Sequence, residues 1–124
     1  MTPPVRLQLS RRKGFRLQEH SRAVNGLDAV NCARPGRFGN GWTIAQAREA
    51  GYKGTNKQLA EMCVAFFENS LARELPATKW IADNIGALRG KNLACWCDLP
   101  TPGDPDICHC VPLLELANKE PNND

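Results

Sequence analysis

Apolar and polar residues alternate over Val5, Arg6, Leu7, Gln8, Leu9 and Ser10. A period of two predicts a half-buried strand with Val5, Leu7 and Leu9 facing inward. Residues 17–29 lack a clear period and read as a loop. Residues 29–33 form a second short apolar run, a strand candidate. Thr43 is placed to cap a short helix to about Ala50, which Gly51 stops. From Thr55 or Asn56 to Leu75 the spacing changes to three and four, through Leu59, Cys63, Phe66, Phe67, Ser70 and Leu71. That pattern predicts a longer helix packed by one face, with Cys63 a small core residue.

Thr78 opens a third helical pattern, with Trp80, Ile81, Ile85 and Leu88 inward. A short strand is expected over residues 93–97, then a Pro/Gly-rich loop from Asp98 to Ile107. A last helix, Val111 to Asn118, tolerates Pro112 only in its first turn. The expected order is β, β, α, α, α, β, α. It predicts an α/β domain over residues 1–118, with a sheet of about three strands and three to four helices packed on it. Residues 119–124 read as a polar tail.

Composition changes this picture in two places. The first 41 residues hold eight Lys/Arg against two acidic residues, whereas the remainder holds eight against eleven. One basic pole suggests an anionic partner, a nucleotide or a nucleic acid, although a solvated basic surface is the more frequent explanation of a charge run alone. Within that pole, residues 34–41 combine Arg34 and Arg37 with Gly36, Gly39 and Gly41, and Asn40 lies between the last two. Exposed backbone N–H groups beside arginines suit phosphate. Arg11, Lys13, Arg16, Arg34, Arg37, Gly39 and Asn40 are therefore the candidate ligand-binding residues. The run matches neither a dinucleotide fingerprint nor a Walker loop, and a plain turn is the competing explanation.

The second place is Cys95-Trp96-Cys97 with Cys108-His109-Cys110, four of the six cysteines within sixteen positions. No apolar run resembles a signal peptide or a membrane span, so a cytoplasmic protein is expected, without membrane contact. Clustered cysteines in that compartment indicate metal or catalysis more than disulfides. Alternate strand positions share a face, so Cys95 and Cys97 can reach one ion, and the loop returns Cys108 and His109 to it. Cys95, Cys97, Cys108 and His109 make a Cys₃His set suited to structural zinc, with Cys110 spare or an alternative ligand. Two other readings stay open: a Cys108 nucleophile activated beside His109, and inert packing. His20 reads as exposed.

Three blocks resemble a family of short domains of unknown function found mainly in bacteriophages and bacteria. They are Arg6 to Arg16, the R-P-x-x-x-G-N run Arg34 to Asn40, and Leu88 to Asn118 with C-W-C and C-H elements. The resemblance implies that these three segments belong to one module, phage-derived and acting in a bacterial cytoplasm. It implies no activity. Here Phe15 replaces a Trp, Gly41 replaces a Pro, the loop from Asp98 to Ile107 is longer, and Cys110 lies outside the pattern. The implied core set is Cys95, Cys97, Cys108 and His109. The function expected is a small zinc protein with a basic pocket for a phosphate-bearing ligand. The alternatives are a non-enzymatic zinc-stabilised interaction module and a Cys108/His109 enzyme.

Overall fold

A computed structural model describes residues 2–119. Among them are three strands, β1 (Arg6–Gln8), β2 (Ala29–Asn31) and β3 (Asn92–Cys95), and five helices. The helices are α1 (Leu17–Asn25), α2 (Ile44–Glu49), α3 (Asn56–Ala72), α4 (Lys79–Asp83) and α5 (Cys110–Ala117). The fold is the expected small α/β domain, with one helix more than predicted. The predicted tail lies, from residue 120 onward, outside the described residues. No helix among the described residues is long and apolar enough to cross a membrane.

The sheet is parallel, in the order β1-β3-β2. β3 takes the centre because all four of its residues are buried, as a strand covered on both faces requires. Its first residue, Asn92, is polar and fully buried, and every amide atom is used. Its Oδ1 accepts from Val5 N–H and Asn25 Nδ2, both at 2.9 Å, and its Nδ2 donates to Ser21 Oγ and Asn25 Oδ1, both at 2.8 Å. One side chain thus ties β1, β3 and α1 together.

The loop expected over 17–29 is a helix for most of its length, which corrects that expectation. The reason is that α1 buries almost no apolar surface: its fully buried residue is Ser21, while Val24 is exposed. Polar contacts hold it. Ser21 Oγ donates to Leu27 O at 2.6 Å, and the Gln18 amide bonds both N–H and C=O of Ala29 at 2.8 Å, covering the β2 edge. Gly26, at φ 82°, ends the helix with its N–H on Arg22 O. His20 is exposed as expected but sits on this helix, its ring 5.4 Å from that of Phe15.

α2 and α3 each start with a capping box, Thr43/Gln46 and Thr55/Gln58. α3 buries Leu59, Cys63, Phe67, Ser70 and Leu71, and ends at Ala72, three residues before the predicted end. The third predicted helix is broken: α4 stops at Asp83 and a 3₁₀ turn covers Ile85–Leu88. α5 then packs against that turn and against β3, with Leu113 fully buried.

Candidate metal centre

β3 delivers Cys95 at its C-terminal end, and the first turn of α5 delivers Cys110. Cys108 and His109 lie just before α5. One ligand atom from each of Cys95, Cys108, His109 and Cys110 falls within 4.8 Å of all the others, and all four residues are buried. That compact group could hold a metal ion. It includes Cys110, which the sequence leaves as a spare or an alternative ligand, in place of Cys97. Cys97 lies beside it, with its Sγ 3.7 Å from that of Cys95 and less buried than the other four. Alternation of side chains thus does bring Cys95 and Cys97 together, although β3 ends before Cys97.

The His109 ring is fixed from three sides. Nδ1 is 3.9 Å from Cys108 Sγ, Nε2 bonds the Cys32 carbonyl at 2.7 Å, and Phe67 meets the ring edge-on at 5.4 Å. A metal-binding imidazole is commonly oriented this way, one nitrogen toward the ion and the other donating to a carbonyl. The Cys110 N–H points at Cys108 Sγ at 3.5 Å, a bond that favours thiolate.

Hydrogen bonding from Cys110 brings the Cys108 thiol down to about 5, and bonds from Cys108, Cys110 and Cys97 hold Cys95 far below the ordinary thiol range. Cys97 and Cys110 move up, each first through its bond to Cys108. Burial lowers His109, but Cys108 and Cys95 outweigh it and raise the imidazole to about 10. A divalent cation bound here would displace protons from its cysteine and histidine ligands.

Between the two halves of the cluster runs the loop 98–107, and Arg6 secures both its ends. The guanidinium grips Asp106 through Nε at 2.9 Å and Nη2 at 2.7 Å, and Nη2 also donates to Asp98 O at 2.8 Å. Nη1 bonds the Cys97 carbonyl. The Arg6 side chain is 4% exposed. Burial lowers its pKa, yet Asp106 and the nearby sulfurs raise it overall, so the charge persists. Sequence reading assigned Arg6 to the polar side of a strand. Its role shows only when Asp106, a hundred residues away, is brought beside it.

The seven predicted ligand-binding residues separate. Arg34 and Asn40 line a cavity of about 290 Å³ together with Cys95, Cys97, Cys108 and His109. Arg37 and Gly39 line a neighbouring cavity of about 460 Å³. Lys13 lines a third, of about 300 Å³, with Arg12 and His20. Arg11 stacks over Trp96 at 4.6 Å, and Arg16 is exposed just ahead of α1. Part of the loop chemistry is internal. Arg34 Nη1 donates to Asn40 O and Trp42 O, both at 3.0 Å, and Asn40 Nδ2 donates to Cys63 O at 3.1 Å. A Cβ on Gly39 would sit 3.0 Å from Arg34 N, Cα and Cγ, so a glycine lets this loop close.

The family described as a domain of unknown function (DUF4326) matches residues 15–119. The chain belongs to the DUF4326 family. Neither a curated protein nor a solved structure matches it. The matched span contains the Arg34–Asn40 loop and the whole cysteine cluster, and leaves out Arg6, Arg11 and Lys13. In this DUF4326 domain the loop and the cluster, far apart in sequence, line one cavity.

Proposed function

We propose that this protein is a structural-zinc protein that binds a phosphate-bearing nucleotide ligand beside its metal centre. The observation that carries this reading is the shared cavity, lined by Arg34 and Asn40 and by Cys95, Cys97, Cys108 and His109. Three thiolates and one imidazole in a compact buried group suit tetrahedral zinc, and soft sulfur ligands select against magnesium or calcium. A filled four-ligand set leaves no open position, so zinc here holds the end of β3 to the start of α5 and shapes the cavity wall. Arg34 spends Nη1 on the loop's carbonyls, and its Nε and Nη2 have no partner among the described residues. They supply the two-pronged donor that phosphate oxygens fit. The motif resemblance supports a phage-encoded protein working in a bacterial cytoplasm, where reducing conditions suit six free cysteines.

The test has two steps. Metal analysis of protein purified without chelator should find one zinc per chain, and less than about half an equivalent sinks the zinc reading. A thermal-shift panel of nucleotides and inorganic phosphate then tests the cavity, since a ligand of the native state raises its melting temperature by mass action. No shift with any phosphate compound would leave the non-enzymatic, zinc-stabilised interaction module, which the closed ligand set also supports. The Cys108-nucleophile reading draws on the oriented imidazole beside Cys108. It predicts a folded, metal-free, unreactive Cys108→Ser protein.

A further inference from the structure

Three cavities meet at Trp42. The first is the 290 Å³ cavity against the cysteine cluster, which Trp96 also lines. The second, of about 460 Å³, holds Arg37 and Trp80. The third, of about 450 Å³, holds Tyr52, Phe66 and Asn69. Trp42 borders all three, and no Asp or Glu borders any of them. The cavity between α3 and α5, by contrast, is flanked by Glu68 and Glu115. The groove around Trp42 is therefore aromatic, carries Arg34 and Arg37, and has no carboxylate in its lining.

The arginines are arranged around indoles. Arg37 lies 3.9 Å from the Trp80 ring centre, Arg11 lies 4.6 Å from that of Trp96, and Arg34 reaches the carbonyl of Trp42 itself. A guanidinium laid on an indole has already lost part of its rotational freedom, so less is lost when it takes a phosphate. Trp42 is half-buried, and its ring centre lies 6.5 Å from that of Phe66, with the two rings tilted. Bases of any sequence have a face that stacks on such a ring, and a cationic groove tracks the backbone between them. A mononucleotide would occupy one of these cavities and leave the other two and their arginine unused.

We infer that the Trp42 groove binds a single-stranded polynucleotide, with Trp42 as the base-stacking platform and Arg11, Arg34 and Arg37 on phosphates along it. This rests on the nucleotide reading above and extends it from one nucleotide to a chain of them. Charge complementarity selects the occupant: the lining has cations and aromatic faces and no carboxylate.

The experiment uses the zinc-loaded full chain and fluorescence anisotropy with a labelled oligothymidylate of about eight nucleotides, within the usual site size of such grooves. Thymidine monophosphate and a duplex of equal length compete. The oligomer should bind at least about tenfold tighter than the monophosphate, and more tightly than the duplex. Trp42→Ala should weaken it by about tenfold, with Trp42→Phe restoring most of the loss. Arg37→Ala should weaken it and lower the salt slope by about one. If Trp42→Ala fails to fold, the exposed Arg37 still gives the answer. An oligomer bound no better than the monophosphate overturns this inference and leaves the nucleotide reading standing. So does unchanged affinity in both variants, or a duplex that binds as well. An oligomer that binds where the monophosphate does not supports the groove, and failure of both ligands overturns both readings.

Discussion

The cysteine cluster and the basic segments started from the same kind of evidence, a local excess of one chemistry, and the fold treats them in opposite ways. Cys95, Cys108, His109 and Cys110 converge to within 4.8 Å and are buried. Arg34 and Arg37 line adjoining cavities at Trp42, Arg11 lies over Trp96, Lys13 lines a cavity apart from these, and Arg16 is exposed ahead of α1. The difference follows from what each group tolerates. Short thiols can share a site only if the backbone brings them together, which the β3 end, a returning loop and the α5 start achieve. Arginines repel one another, reach far, and find partners in carbonyls and ring faces. Proximity in sequence therefore predicted a shared site for the sulfurs, and only a shared region for the cations.

The largest effect expected is loss of the ion. Chelation, or Cys108→Ser, should remove several kcal/mol and lower the melting temperature by about 10 °C or more, because metal-binding energy is folding energy in such a site. Calorimetry of protein with and without chelator checks this. Equal melting temperatures would reduce the cluster to packed thiols and remove its contrast with the basic segments. Within the cluster, Cys110→Ser should cost far more zinc affinity than Cys97→Ser, whose effect as an outer partner should be roughly tenfold. Competition with a chromogenic chelator measures both. A larger loss from Cys97→Ser would move Cys97 into the ligand set in place of Cys110.

Arg6 crosses the comparison, since it is a basic residue that serves the cluster. Arg6→Ala should destabilise the protein by about 3–5 kcal/mol, because Asp106 is left charged and poorly solvated and the loop carrying the chain to Cys108 loses its anchor. Urea unfolding at neutral pH measures it, and Arg6→Ala with Asp106→Asn should recover part of the loss. A cost below about 1 kcal/mol, typical of surface ion pairs, would return Arg6 to the exposed basic group.

These residues also show where the sequence was legible. The period-two run at β1 and the three-and-four spacing of α3 predicted both elements, because each buries apolar side chains at regular intervals. α1 was invisible because what it buries is the hydroxyl of Ser21, and what holds it is the amides of Gln18, Asn25 and Asn92. Hydrophobic periodicity carries no record of such contacts. In the site, the ligand types and the returning loop were legible. The inclusion of Cys110 was not, since it depends on the dihedral angles of the three residues entering α5. The meeting of the Arg34 loop with the cluster depends on the bonds from Asn40 to Cys63 O and from His109 to the Cys32 carbonyl, which no local pattern encodes. Gly39 matters through its contact with Arg34, which only the folded loop creates.

The smallest effects test the other side of the comparison. Arg34→Ala removes two bonds to carbonyls of its own loop, Asn40 O and Trp42 O, and should cost about 1–3 kcal/mol. Arg37→Ala removes a guanidinium stacked on Trp80 at an exposed position and should cost about 0.5–1 kcal/mol. Arg16→Ala, on an exposed residue that makes no side-chain cap to α1, should fall within about 0.5 kcal/mol of zero. Thermal unfolding of the three variants ranks them. The order Arg34, Arg37, Arg16 is expected because it follows the number of internal partners each cation has, and a group selected for external phosphate is free to have none. If Arg16→Ala proved the most destabilising, the basic segments would be part of the fold's internal bonding, as Arg6 is, and their assignment to a ligand would lose its basis.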